Sequence, residues 1–189
     1  MDLVGWLRAN QVSPGGLVAI AVGPDGSVAV AVPGGMLATS PEQLFLADRE
    51  IRPRWVVWSQ ETARALIAAG VRLTTCWDVA AVHRLMSGGW RADPAYAWAC
   101  LQGVPADQIP SPASGQPDLF SFADEQRAPA LGAAEALEAA ELQRTALASG
   151  GDSGIAVATA RAESTVELLA AELAADGLPM NRADRKSVV

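Results

Sequence analysis

The chain has 189 residues, a net charge of -7 and a pI near 4.7, long enough for one domain of ordinary size. Half of the residues are hydrophobic, and many of these are alanine, which buries little area per residue. A free-standing nucleic-acid binder carries a basic patch that neutralises phosphates. Here the one Lys/Arg cluster is "REIRPR", with Arg49, Arg52 and Arg54, so the composition argues against tight DNA binding by this segment alone. No apolar run reaches the length of a membrane-spanning helix, and "MDLVGWLRAN" lacks a signal-peptide pattern. Both point to a cytoplasmic chain with no membrane partner. Cys76 and Cys100 form no CxxC and have no clustered histidines, so they read as reduced thiols and no metal site is expected from them.

In chain order, residues 17–22 and 28–32 read as strands around a Pro24-Asp25-Gly26 turn. Alanine alternates with Val18, Ile20 and Val22, and again with Val28, Val30 and Val32. Each strand therefore has one bulky and one shallow face. Residues 41–47 read as a short helix capped by Ser40, with Pro41 in its first position. "RWVVW" (residues 54–58) is a strand. A helix from Ser59 to Ala69 ends at Gly70, and "VRLTTC" (residues 71–76) is read as the next strand. Residues 78–86 and 94–101 read as helices. Residues 103–132, with prolines among Ser, Gly and Asp, read as a linker or long loop. Residues 133–148 are helical by propensity, Gly150-Gly151-Asp152 breaks the run, and a last helix spans about 155–175. On that helix Val166, Leu168, Leu169 and Leu173 are read as one apolar side. The order predicts an α/β layer with a mixed sheet.

The stretch "RWVVWSQETARALIAAGVRLTTCWDVAAVHRLMSGG" resembles the centre of the 3′–5′ exonuclease domain of family A, DNA polymerase I-like, DNA polymerases. Trp77-Asp78-Val79 is similar to the step that opens a helix in that family. "ESTVELLAAELAADGLPMN" (residues 163–181) resembles the junction helix leading into the polymerase thumb, in its actinobacterial, alanine-rich form. The resemblance implies a ribonuclease H-like mixed sheet flanked by helices. It divides the chain into an exonuclease-like part (1–150), a thumb-entry helix (151–183) and a non-native tail, "DRKSVV" (184–189). One reading frame of a common adapter oligonucleotide encodes that tail, so the natural frame is expected to continue. The implied parent is a bifunctional exonuclease/polymerase in the cytoplasm and nucleoid, reaching DNA through its polymerase part with Mg2+.

The family's nuclease needs two metal ions held by four carboxylates, two of them in an Asp-x-Glu pair on the first strand. No Asp-x-Glu falls on a predicted strand of this chain; the triplet Asp48-Arg49-Glu50 follows the helix read at residues 41–47. The opening hairpin resembles the family's second and third strands, which places the missing pair before Gly15, where Asp2 is the one acid. The second carboxylate falls at Glu61 when Asp78 is the anchor. The third motif's helix matches "ALEAAELQRTAL", with Glu138 and Glu141 but no tyrosine. The expectation is a retained fold with the nuclease lost and an architectural role. Two alternatives stay open: a residual exonuclease using Glu61 and Asp78, and an independent acidic interaction protein.

Other features read blandly. His83, the single histidine, has no identifiable partner and reads as a surface or boundary residue. Trp55, Trp58, Trp77, Trp90 and Trp98 read as core rather than as base-stacking platforms. "GGDSG" (residues 150–154) is a helix break. "QPDLF" resembles the short peptides by which bacterial polymerases dock onto the sliding clamp, with Gln116 making polar contacts and Leu119 and Phe120 as apolar anchors. A peptide spanning residues 116–122 is therefore expected to bind a purified sliding clamp in fluorescence anisotropy, and Leu119→Ala with Phe120→Ala to abolish binding. Absence of binding at high micromolar peptide ends the idea.

Overall fold

The computed structural model describes residues 2–23, 25–109 and 132–177. Gln116, Leu119, Phe120 and the 184–189 tail lie outside the described residues. Five strands, β1 (Leu17–Val22), β2 (Val28–Val32), β3 (Gly35–Thr39), β4 (Arg54–Val57) and β5 (Cys76–Asp78), form one mixed sheet in the order β3-β2-β1-β4-β5. β2 is antiparallel to β1 and β3, whereas β1, β4 and β5 run parallel. Seven helices flank the sheet: α1 (Leu3–Ala9), α2 (Pro41–Glu50), α3 (Gln60–Ala68), α4 (Val79–Ser87), α5 (Pro94–Leu101), α6 (Ala133–Ala148) and α7 (Ser153–Asp176).

The valine–alanine alternation of the hairpin sorts directly into two layers. Val18, Ile20, Val30, Val32, Trp55 and Val57 point to one face, where α1, α2 and α3 supply Leu3, Leu7, Leu44, Ala47 and Leu66. Ala19, Ala31, Val56 and Trp77 point to the other. That shallow face receives α6 through Ala133, Ala136, Ala139 and Ala140, all buried. Alanine against alanine lets a helix approach closely, and at native packing density such a contact has no room for a larger side chain. Across the pairing register Ala19 faces Ala31, while Ile20 faces Val30.

Buried polar groups tie the layers together. Asp48 of α2 accepts from the Trp55 indole N–H (2.7 Å) and from the Thr74 hydroxyl (2.9 Å). Gln143 of α6, fully buried, accepts from the Trp77 indole N–H (2.9 Å) and donates to the Val79 carbonyl (2.8 Å). α7 runs beside the edge strand β5. The Asp78 N–H donates to the Ser164 hydroxyl (3.0 Å) and the Cys76 thiol to the Ser164 carbonyl (3.1 Å). A helix thereby closes an edge that would otherwise present unpaired backbone groups.

Three sequence expectations change. No strand precedes the hairpin among the described residues. The segment before Gly15 instead forms α1, whose first turn is capped by Asp2 accepting from the Gly5 N–H (2.6 Å). The hairpin strands are thus the first two of the sheet, not the second and third. β5 begins at Cys76 rather than at Val71, because the Thr74 N–H donates to Asp48 and the Thr75 hydroxyl to the Pro53 carbonyl before any ladder can form. β3 was unforeseen: Gly35–Thr39 carries no alternation of strong strand formers, and pairs because the hairpin continues through Gly34 at φ +88°. The helices at residues 94–101 and 133–148 lie where expected.

Packing of alanine on alanine has a direct consequence. Ala136→Leu is expected to destabilise the fold by about 1–3 kcal/mol through overpacking. Ala146→Leu, on the exposed side of the same helix, should stay within about 0.5 kcal/mol of wild type. Urea unfolding of both variants measures the difference; equal effects would contradict the close contact.

Candidate functional site

In an open α/β sheet, ligands bind outside the carboxyl ends of the parallel strands. β4 and β5 end at Val57 and Asp78, and a cleft of about 400 Å³ opens there, lined in part by Ser59, Glu61, Asp78, Arg84, Trp90 and Glu167. α3 and α4 both start at this cleft. Ser59 caps α3, its hydroxyl accepting from the Glu61 N–H (3.3 Å), and Asp78 caps α4, accepting from the Ala81 N–H (2.8 Å).

Glu61 and Asp78, the weak catalytic candidates, therefore share one cleft, but in opposite environments. The Glu61 side chain is 76% exposed and pairs with Arg64 at 2.7 Å, one turn along α3. Asp78 is 2% exposed. Its burial pushes the carboxyl up to about 7, with the nearby Glu167 carboxylate adding to the rise; the Ala81 and Ala80 amides and Arg84 oppose it. The third carboxylate of the cleft, Glu167, comes from α7 and forms an ion pair with Arg84 of α4. The resemblance places the third motif's carboxylate on α6 instead. There Glu138 and Glu141 line a separate groove beside Val32, Gly35 and Met36. The sequence offers no local signal for Glu167 beyond its place on the last predicted helix.

The other singled-out residues separate clearly. His83 is inside, not at the surface. It is 3% exposed, its ring meets Tyr96 edge-on at 5.5 Å, and its Nε2 has no hydrogen-bond partner. Burial lowers its pKa, and it does not line the cleft. Trp55 and Trp77 are wholly buried. Trp58 is also buried; it meets Trp98 edge-on at 6.4 Å and donates to the Gly132 carbonyl (3.1 Å). Trp90 departs from the expectation: it is 95% exposed at the cleft rim, on the turn formed by Gly88 and Gly89 at positive φ. Cys76 and Cys100 are free thiols, and burial pushes the Cys76 thiol up to about 12, which makes it inert as a nucleophile or metal ligand. Of the "GGDSG" segment, Gly150, Gly151 and Asp152 lie in the break between α6 and α7, while Ser153 and Gly154 open α7.

Hard divalent ions require several converging oxygen ligands. Among the described residues no three His, Cys, Asp or Glu side chains are placed to hold a metal ion. Each carboxylate of the cleft is already engaged: Glu61 with Arg64, Glu167 with Arg84, Asp78 with the Ala81 amide. The residues present do not fit a two-metal centre. Comparison with models of protein families, with curated proteins and with solved structures finds no match to this chain.

The burial of Asp78 makes stability depend on pH. Its folded value of about 7 lies above the ordinary 3.8, so the folded state holds the proton more tightly. The stability tied to that proton is complete below about pH 4 and is lost as pH rises through about 7. Asp78→Asn keeps an oxygen to cap α4 and removes the titration. Relative to this variant, wild type should lose up to about 4 kcal/mol between pH 4 and pH 8, read by urea unfolding at several pH values. The His83 contribution is common to both proteins and cancels. A constant difference across that range would contradict a buried, protonated Asp78.

Proposed function

We propose that this chain is the exonuclease-like domain of a family A DNA polymerase, kept as a scaffold after losing its metal site. The observation that carries the reading is the sheet. Its order is β3-β2-β1-β4-β5, with β2 alone running against the other four strands, as a ribonuclease H-like sheet is laid out. On that reading β1 is the first strand, where the family carries Asp-x-Glu. Its residues are Leu17, Val18, Ala19, Ile20, Ala21 and Val22. Shifting the frame from the segment before Gly15 to β1 does not restore the pair. Ala19 is buried beneath α6, so the place is filled by packing and not merely emptied of acid.

The role that follows is architectural: the domain positions a polymerase whose own carboxylates would hold Mg2+ and whose basic surface would meet DNA. A tether to the sliding clamp through Gln116, Leu119 and Phe120 belongs to the same proposal, as does a place at the nucleoid. Among the described residues no helix is long and apolar enough to cross a membrane.

One observation favours a second reading, a residual 3′–5′ exonuclease: Glu61 and Asp78 line the same cleft. An assay on labelled single-stranded DNA with Mg2+ or Mn2+ separates the two. The scaffold reading expects no metal-dependent digestion above background, and no further loss in Glu61→Ala or Asp78→Ala. Digestion that both substitutions abolish would establish the nuclease instead.

A further inference from the structure

α7 is apolar on two sides. One side is the core side, where Ala160, Ser164, Leu168 and Ala171 are buried. The other carries Ile155, Thr159, Ala162, Val166, Leu169 and Leu173, at spacings of four, three, four, three and four residues. Leu168 thus parts from Val166, Leu169 and Leu173, in contrast to the single apolar side expected from the sequence. The large members of the outer row are exposed: Ile155 by 70%, Val166 by 60%, Leu169 by 50% and Leu173 by 39%.

Single exposed apolar residues are ordinary. A row repeating every three and four residues is the seam by which one helix packs lengthwise against another, and a helix apolar on both sides is normally covered on both. None of the seam residues lines the Asp78 cleft, so this is a separate surface.

Charge selects the occupant. The positions flanking the seam are Ala156, Ala158, Glu163, Thr165, Ala170 and Glu172. The small residues allow close approach, and the two charged ones are both acidic. Neither glutamate makes a salt bridge among the described residues. A second copy of the chain brings another net charge of -7 and is repelled at long range, whereas a basic helix is drawn in. We propose that the outer face of α7 docks an amphipathic helix of a partner, with an apolar stripe flanked by Lys or Arg. Such a helix is held here whether or not a polymerase follows.

The test uses the full chain and two labelled synthetic helices of about three heptads, with Leu along the seam and either Lys or Glu at the flanks. Fluorescence anisotropy at low salt is expected to show micromolar binding of the Lys helix, at least tenfold tighter than the Glu helix. Val166→Glu with Leu169→Glu should weaken it tenfold or more while circular dichroism and Tm stay unchanged. Glu163→Lys with Glu172→Lys should reverse the preference between the two helices. Failure of the Lys helix to bind, equal binding of both helices, or no reversal by the charge swap overturns the proposal. A dimer in sedimentation that the Val166/Leu169 variant dissolves would assign the face to a second copy and overturn it equally.

Discussion

The two faces of the hairpin differ in depth, and the rest of the molecule is arranged around that difference. Valine and isoleucine on one side of β1 and β2 require a thick layer, supplied by α1, α2 and α3 with leucine side chains. Alanine on the other side admits α6, and α6 answers with alanine at Ala133, Ala136, Ala139 and Ala140. Dispersion contacts of this kind are individually small but continuous along the helix. Beside that contact a groove remains, lined in part by Ala31, Val32, Leu137, Glu138 and Glu141. The end of the sheet where the parallel strands β4 and β5 terminate together opens into the Asp78 cleft.

That cleft is held shut on one side by α7. Ser164 fills the role of a missing sixth strand, with its hydroxyl taking the Asp78 N–H and its carbonyl taking the Cys76 thiol proton. The same helix delivers Glu167 to Arg84 and pulls the carboxyl of Asp78 out of water. Burying an ionised carboxylate beside another is costly, and the group responds by holding its proton near neutral pH. Asp78 then acts as a helix cap, worth about 1 kcal/mol in ordinary contexts, rather than as a ready metal ligand. The structural and the catalytic uses of this side chain compete, and here the geometry favours the structural one.

The elements legible in the sequence were those whose local signals and tertiary packing agree. The hairpin's alternation, the Ser59 and Gly70 boundaries of α3, and the alanine- and glutamate-rich α6 all fell near their predicted places. The misses share a cause: side chains that bond at long range are invisible to local patterns. Thr74 and Thr75 look like good strand residues, yet Asp48 and Pro53 claim their hydrogen bonds, and β5 starts late. Asp2 looks like a lone acid on a strand until the Gly5 amide reveals a helix cap. Of the site, Glu61 and Asp78 were legible and share the cleft. Glu167 was not, because a carboxylate from a distant helix reaches the cleft only through the packing of α7 against β5. His83 and Trp90 were misjudged in opposite directions for a related reason. Polarity predicts exposure only on average, and here an aromatic neighbour encloses the histidine while a glycine turn holds the tryptophan out.

On the proposed reading, in which a metal site has been lost, the fold need not be loosened by that loss. A cluster of carboxylates without its ions repels itself and raises the energy of the folded chain. Replacing such residues with alanine on β1 removes that repulsion and adds apolar contact with α6. The substitutions that end catalysis are therefore of the kind that stabilise, and large-to-small changes on a sheet face are tolerated when the opposing helix can settle closer. An alanine-lined β1 packed under an alanine-lined α6 is the state such a process would reach. Each of Glu61, Asp78 and Glu167 has a partner of its own: an arginine one turn away, a helix N-terminus, and an arginine across the cleft. Their places follow from structure and do not require that they act together.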